Sequence, residues 1–103
     1  MLGLGKWWRL PELAAGLPAT VTEARAAFDA RVRARFAIGT TEASLISELA
    51  GEGFKPSYWE ADDLHDATFR RRRFPFATLW SVRWRSESGR ITEIWGVYGI
   101  RGP

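Results

Sequence analysis

The chain has 103 residues, 46% hydrophobic and 26% charged, with no cysteine and a formal net charge of +3. That size and mixture describe one small folded domain that buries roughly 60–65% of its unfolded surface, and they exclude a large enzyme, a repeat array and a disordered tail. Without cysteine there is no disulfide framework, thiolate zinc site, iron–sulfur cluster or cysteine nucleophile, so stability must come from packing, for which six Trp, six Phe and two Tyr supply the material.

Gly3, Gly5, Pro11, Gly16 and Pro18 interrupt residues 1–18, while Leu2, Leu4, Trp7, Trp8, Leu10, Leu13 and Leu17 still need somewhere to be placed. The expectation is an N-terminal arm over 1–18, with a short helical turn at Pro11–Ala15, followed by a single α+β domain over 19–103. Thr20-Val-Thr-Glu23 has the form of a capping box, and Val21, Ala24, Phe28, Val32 and Phe36 recur at three or four, the spacing of one helical face. A first helix is predicted from about Val21 to Ala37, stopped by Gly39. A second, from about Thr41 to Ala50, buries Leu45, Ile46 and Leu49 and ends at Gly51 or Gly53.

Beyond Trp59 the period changes. Ala67 to Arg71 alternates weakly, while Trp80, Val82 and Trp84 alternate cleanly with Leu79, Ser81, Arg83 and Arg85 on the opposite side. Ser86-Glu-Ser-Gly89 reads as a hairpin turn, and Ile91 to Ile100 as the returning strand, in which Gly96 and Gly99 suggest a bulge or the close approach of another backbone. The predicted order is arm, α, α, β, β, β: two helices packed on one face of a three-stranded antiparallel sheet.

Charge is divided along the chain. Residues 1–66 hold seven basic and ten acidic side chains; residues 67–103 hold eight basic and two acidic. The second half is therefore expected to attract an anionic partner. Its densest feature is Phe69-Arg-Arg-Arg-Arg-Phe-Pro-Phe76, which sets guanidiniums among rings as single-stranded nucleic-acid sites do. The same run serves equally as a contact for an acidic protein surface, or as a solvated edge that discourages strand addition. Strand alternation would put Arg70 and Arg72 on one face and Arg71 and Arg73 on the other. Trp7 and Trp8 are adjacent, so one of them is available as a partner anchor if both cannot face inward.

Glu60-Ala-Asp-Asp-Leu-His-Asp66 gathers four carboxylates and the only histidine, but its spacing fits no known metal loop, and it is expected to be a solvated acidic loop paired to Arg70–Arg73. His65, with Asp62 or Asp66, is the only visible acid–base pairing. There is no Gly-x-Ser-x-Gly, and Ser44, Ser47 and Ser57 have no evident partner. Neither catalysis, a metal nor a cofactor is expected. No apolar run approaches the 18 or so residues of a membrane span, and Lys6 and Arg9 interrupt the N-terminal apolar stretch where a secretory signal would be continuous. The expected location is cytoplasmic.

The stretch Phe28-Asp-Ala-Arg-Val-Arg-Ala-Arg-Phe-Ala-Ile-Gly-Thr-Thr-Glu-Ala-Ser-Leu-Ile-Ser-Glu-Leu49, followed by Trp80-Ser-Val-Arg-Trp84 and Gly89-Arg-Ile91, resembles the SmpA/OmlA family of small outer-membrane lipoproteins, which includes the small accessory subunit of the β-barrel assembly machinery. The resemblance implies an α-α-β-β-β scaffold that acts through protein contacts, without catalysis. The chain departs from the family in lacking a lipobox Cys, a signal peptide and the Gly-x-Pro after helix two, so only the fold is carried over.

The functional expectation is a non-enzymatic protein-binding module that occupies an acidic partner surface through Arg70, Arg71, Arg72, Arg73, Phe74 and Phe76, with Trp7, Trp8, Arg83 and Arg85 contributing. A mobile-element inhibitor such as an anti-CRISPR protein is one form of that reading. A single-stranded nucleic-acid-binding protein is the alternative from another class, and an accessory subunit of an envelope assembly complex is a third.

Overall fold

The computed structural model describes residues 10–102. The elements are α1 (Val21–Arg35), α2 (Glu42–Gly51), β1 (Lys55–Trp59), a short 3-10 turn (Glu60–Asp62), β2 (Leu64–Arg73), β3 (Phe76–Glu87) and β4 (Arg90–Arg101). No described helix is long and apolar enough to cross a membrane.

Both helices begin where a hydroxyl can take an orphan amide. The Thr20 side chain accepts from the Glu23 N–H at 3.3 Å and the Thr41 side chain from the Ser44 N–H at 3.4 Å. Ahead of α1, the Ala14 and Ala15 amides donate to the Pro11 carbonyl, and this turn places Leu13 and Ala14 in the core. Arg31 on α1 holds the turn in place by donating to the carbonyls of Leu13, Ala15 and Gly16.

The sheet is antiparallel and four-stranded, in the order β1-β2-β3-β4, not the three strands expected from the sequence. The missed strand is Lys-Pro-Ser-Tyr-Trp59. All five of its residues are exposed, so it carries no buried alternation, and its proline reads as a break. It is a strand because β2 pairs with it from Lys55↔Thr68 to Trp59↔Leu64, and proline is tolerated because this is an edge, where its missing N–H would have faced outward.

β2 and β3 are joined through Phe74 and Pro75, whose peptide bond is cis. β3 and β4 are joined by Ser88 and Gly89, both at positive φ (53° and 76°), the geometry of a two-residue turn whose twist matches the strands it connects. The β-bulge lies at Arg85/Ser86, not at a glycine.

Of the expected apolar stripe, Ala24, Phe28, Val32 and Phe36 are buried, while Val21, in the first turn of α1, is exposed. Phe28, Val32 and Phe36 share one buried cluster with Leu45, Leu49, Phe54, Trp80, Val82 and Trp84. α1 lies over β4, and a Cβ on Gly96 would stand 2.9 Å from both Phe28 and Val32, so what approaches this glycine is a pair of α1 side chains and not the backbone expected, while nothing lies within 4 Å of a Cβ at Gly99. α2 is fastened through Glu42, whose Oε2 accepts from Trp84 Nε1 at 2.8 Å and from the Ser86 hydroxyl at 3.0 Å.

After the 3-10 turn, Asp63 sits in the left-handed region (φ 47°) and accepts a hydrogen bond from the Tyr58 hydroxyl at 2.8 Å. That bond to a carboxylate raises the Tyr58 pKa above the ordinary 10.0. Because the folded-state value is raised, the stabilisation is fully present below the unfolded tyrosine value and is lost as pH rises through the folded one. Titration of phenolate absorbance should show Tyr58 ionising later than free tyrosine, and Asp63→Ala should return it toward the ordinary value. An unchanged titration in that variant would mean the bond does not persist in solution.

Candidate binding face

In an antiparallel ladder, residues directly opposite one another project to the same side. His65, Ala67 and Phe69 of β2 therefore share a face with Trp84, Val82 and Trp80 of β3, and this face meets the helices. The other face carries, row by row, Asp66 with Arg83 and Trp95; Thr68 with Ser81 and Val97; Arg70 with Leu79 and Gly99; and Arg72 with Ala77 and Arg101. Trp59 and Ser57 close it on the β1 side, leaving a shallow groove of about 450 Å³ over the sheet.

A polar relay runs across the middle of this face. Thr68 donates to Asp66 Oδ1 at 2.7 Å, and Thr68 and Ser81 share a second hydrogen bond of 2.7 Å. Since the single Thr68 proton goes to the carboxylate, Ser81 is the donor to Thr68. Arg83 Nε donates to Asp66 Oδ2 at 3.1 Å, completing the carboxylate's shell. Asp66 and Ser81 are only 5% and 7% exposed although no helix covers this face. A charge so desolvated needs such partners.

The two ends of the face differ electrostatically. Toward the β3–β4 turn, the positive charges are matched or stacked. Arg83 binds Asp66 and lies 5.6 Å from the Trp59 ring centre, while Arg85 pairs with Glu93 at 2.8 Å and lies 5.7 Å from the Trp95 ring centre. Toward the β2–β3 turn, Arg70, Arg72 and Arg101 lie together and form no ion pair with any described residue. Planar guanidinium forks at this spacing suit carboxylate or phosphate oxygens.

The residues singled out from the sequence are thus divided. Arg70, Arg72, Arg83 and Arg85 share the open face. Arg71, Arg73 and Phe76 project to the helix side beyond the helices, so the run is not one continuous patch. Phe74, in the turn, is 99% exposed and Phe76 is 51% exposed. Trp7 and Trp8 lie outside the described residues. Trp59, Trp95 and Arg101 belong to the face but were not foreseen, because cross-strand pairing and not sequence proximity brings them there.

The acidic segment is also corrected. Leu64, His65 and Asp66 begin β2 and are not part of a loop, and the partner of Asp66 is Arg83, not a member of Arg70–Arg73. His65 faces the helix side, stacked on Trp84 (ring centres 5.6 Å apart, planes 10° apart) and beside Tyr58, with Nε2 3.4 Å from Glu42 Oε2. Adjacent on one strand, His65 and Asp66 project to opposite faces and form no acid–base pair. Among the described residues no group of three His, Asp or Glu side chains could hold a metal ion.

Comparison with protein-family models, with curated proteins and with solved structures yields no match. The face itself is a groove with a fixed polar floor, rings at one end and, at the other, guanidiniums without ion-pair partners among the described residues.

Proposed function

We propose that the chain is a non-catalytic binding module that occupies an acidic surface of a partner protein with the Arg70, Arg72 and Arg101 end of its open sheet face. The observation that carries this reading is the grouping of these three guanidiniums, without ion-pair partners among the described residues, beside the exposed turn residue Phe74. Arginine and aromatic anchors are where binding energy concentrates in protein interfaces, and steric occupation of this kind is how a mobile-element inhibitor would cover a nucleic-acid-binding or effector surface.

A second reading draws on Trp59 and Trp95, which share the face with the arginines as rings and charges do in single-stranded nucleic-acid grooves. Against it stands the arginine already seated over each indole, Arg83 at 5.6 Å from the Trp59 ring centre and Arg85 at 5.7 Å from that of Trp95, where a base would stack.

One experiment addresses both. The double variant Arg70→Glu, Arg72→Glu should shift the melting temperature by no more than about 4–8 °C, since both side chains are exposed and surface changes stay within about 0.5 kcal/mol each, about 1 kcal/mol together. It should weaken binding of the protein partner captured from the host by tenfold or more, about 1.4 kcal/mol. Undiminished capture of that partner would refute the reading. In a parallel titration, tight binding of a single-stranded oligonucleotide that weakens with salt by about 0.7 log units per phosphate contact would favour the second reading. That slope should flatten on Arg70→Gln, Arg72→Gln more than on Arg71→Gln, Arg73→Gln, since only the first pair lies on the open face.

A further inference from the structure

The two sides of the sheet end differently. Along β4, α1 meets the outward backbone: the Gly96 amide donates to Asp29 Oδ1 at 2.9 Å, and the Tyr98 carbonyl accepts from Arg25 Nε at 3.2 Å. On the other side, the β1–β2 ladder stops at Lys55↔Thr68, while β2 continues to Arg73. Alternation tells which backbone groups of this overhang point outward. Gly96 faces away from β3, so its partner Val82 directs its ladder bonds to β2, toward Ala67. Ala67 in turn faces β3, and Thr68, Arg70 and Arg72 face the β1 side. Pro56, opposite Ala67, agrees, having no N–H to give. Thr68 meets Lys55; the N–H and C=O of Arg70 and Arg72 meet no described strand, and no turn or loop bond reaches them. A cleft of about 670 Å³ lies alongside, bordered by Gly53, Lys55, Phe69 and the two arginines.

We propose that an extended acidic segment of a partner protein adds to this overhang, in line with β1 and antiparallel to β2, its backbone pairing with Arg70 and Arg72. Residues directly opposite these two share their face, so carboxylates at alternate positions of the segment meet the guanidiniums while its backbone completes the ladder, the mode of strand addition. Charge selects the occupant. A second copy of this chain would set Arg70–Arg73 against the same run, and like charges directly opposite destabilise a strand pair. The inference rests on the protein-binding reading above and specifies how the partner is held.

The test uses the full chain and the peptide acetyl-Glu-Val-Glu-Val-Glu-amide, followed by calorimetry at low salt and by amide hydrogen exchange. Arg72→Pro deletes an outward N–H while sparing the ladder to β3; Arg72→Gln deletes the charge and keeps the N–H. The peptide should bind the wild-type chain and slow exchange of the Arg70 and Arg72 amides, and Arg72→Pro should weaken it about fivefold beyond Arg72→Gln. No binding, unchanged exchange at these amides, or equal affinities of the two variants would overturn strand addition. So would a dimer of the free chain that Arg72→Pro dissolves, since that places a second copy on the edge. Should Arg72→Pro fail to fold, the exchange measurement on the wild-type chain still decides. If charge reversal weakens capture of the protein partner but Arg72→Pro matches Arg72→Gln, strand addition fails and the broader reading stands; if charge reversal has no effect, the broader reading itself fails.

Discussion

Replacing Phe28 by Ala is expected to remove about 3–5 kcal/mol of stability, most of what a domain this small possesses. Phe28 is completely buried at the meeting point of α1 with the sheet, beside Val32 and above Gly96, in the cluster that contains Trp80, Val82 and Trp84. Truncation leaves a ring-sized void under a helix that is also held by the Asp29 and Arg25 bonds to β4, so the backbone cannot sink to fill it. The melting temperature should fall by on the order of 20 °C. A fall of less than about 5 °C in thermal unfolding would mean that α1 does not press on the sheet as described.

The second large effect is the reverse change at the same contact. Gly96→Val should cost about 3 kcal/mol by overpacking, and Gly96→Ala about 1–3 kcal/mol. The reason is distance: a Cβ at Gly96 would lie 2.9 Å from Phe28 and from Val32, closer than carbon atoms tolerate. Neither neighbour is a loose chain end that could swing aside, since both are fully buried. Because the Phe28 ring supplies two of the three nearest contacts, at 2.9 and 3.0 Å, and Val32 the third at 2.9 Å, Gly96→Ala should cost less, though not nothing, in a Phe28→Ala background, and a double-mutant cycle by chemical denaturation would measure this coupling. Strict additivity would show that the glycine is needed for some other reason.

How much of this was legible depends on burial. The stripe Val21, Ala24, Phe28, Val32, Phe36 announces α1 because the period of its apolar residues is the period of a helix, and Trp80, Val82 and Trp84 announce β3 for the same reason. Lys55–Trp59 announces nothing, since a fully exposed strand has no apolar alternation and owes its form to its neighbour. The site divides in the same way. That Arg70 and Arg72 face the open side was readable, because Ala67 and Phe69 share the parity of Arg71 and Arg73 and must point to the core. The joining of Trp59, Asp66, Arg83 and Trp95 was not readable, because it depends on the register of three strand pairs, which the turns and the β-bulge at Arg85/Ser86 set together. His65 was drawn into an acidic cluster by proximity along the chain, and strand geometry separates it from Asp66.

The Asp29 and Arg25 bonds to β4 also have a consequence for stoichiometry. A sheet with two available sides can sit in the middle of a row and pass pairing on from one neighbour to the next, which is how fibrils grow. Here one flank is already spoken for by the molecule's own helix at Gly96 and Tyr98. A strand adding along β4 would have to displace Asp29 from the Gly96 N–H and Arg25 from the Tyr98 carbonyl, so this flank resists passing pairing on to a further neighbour, and neutralising Asp29 and Arg25 together would weaken that resistance.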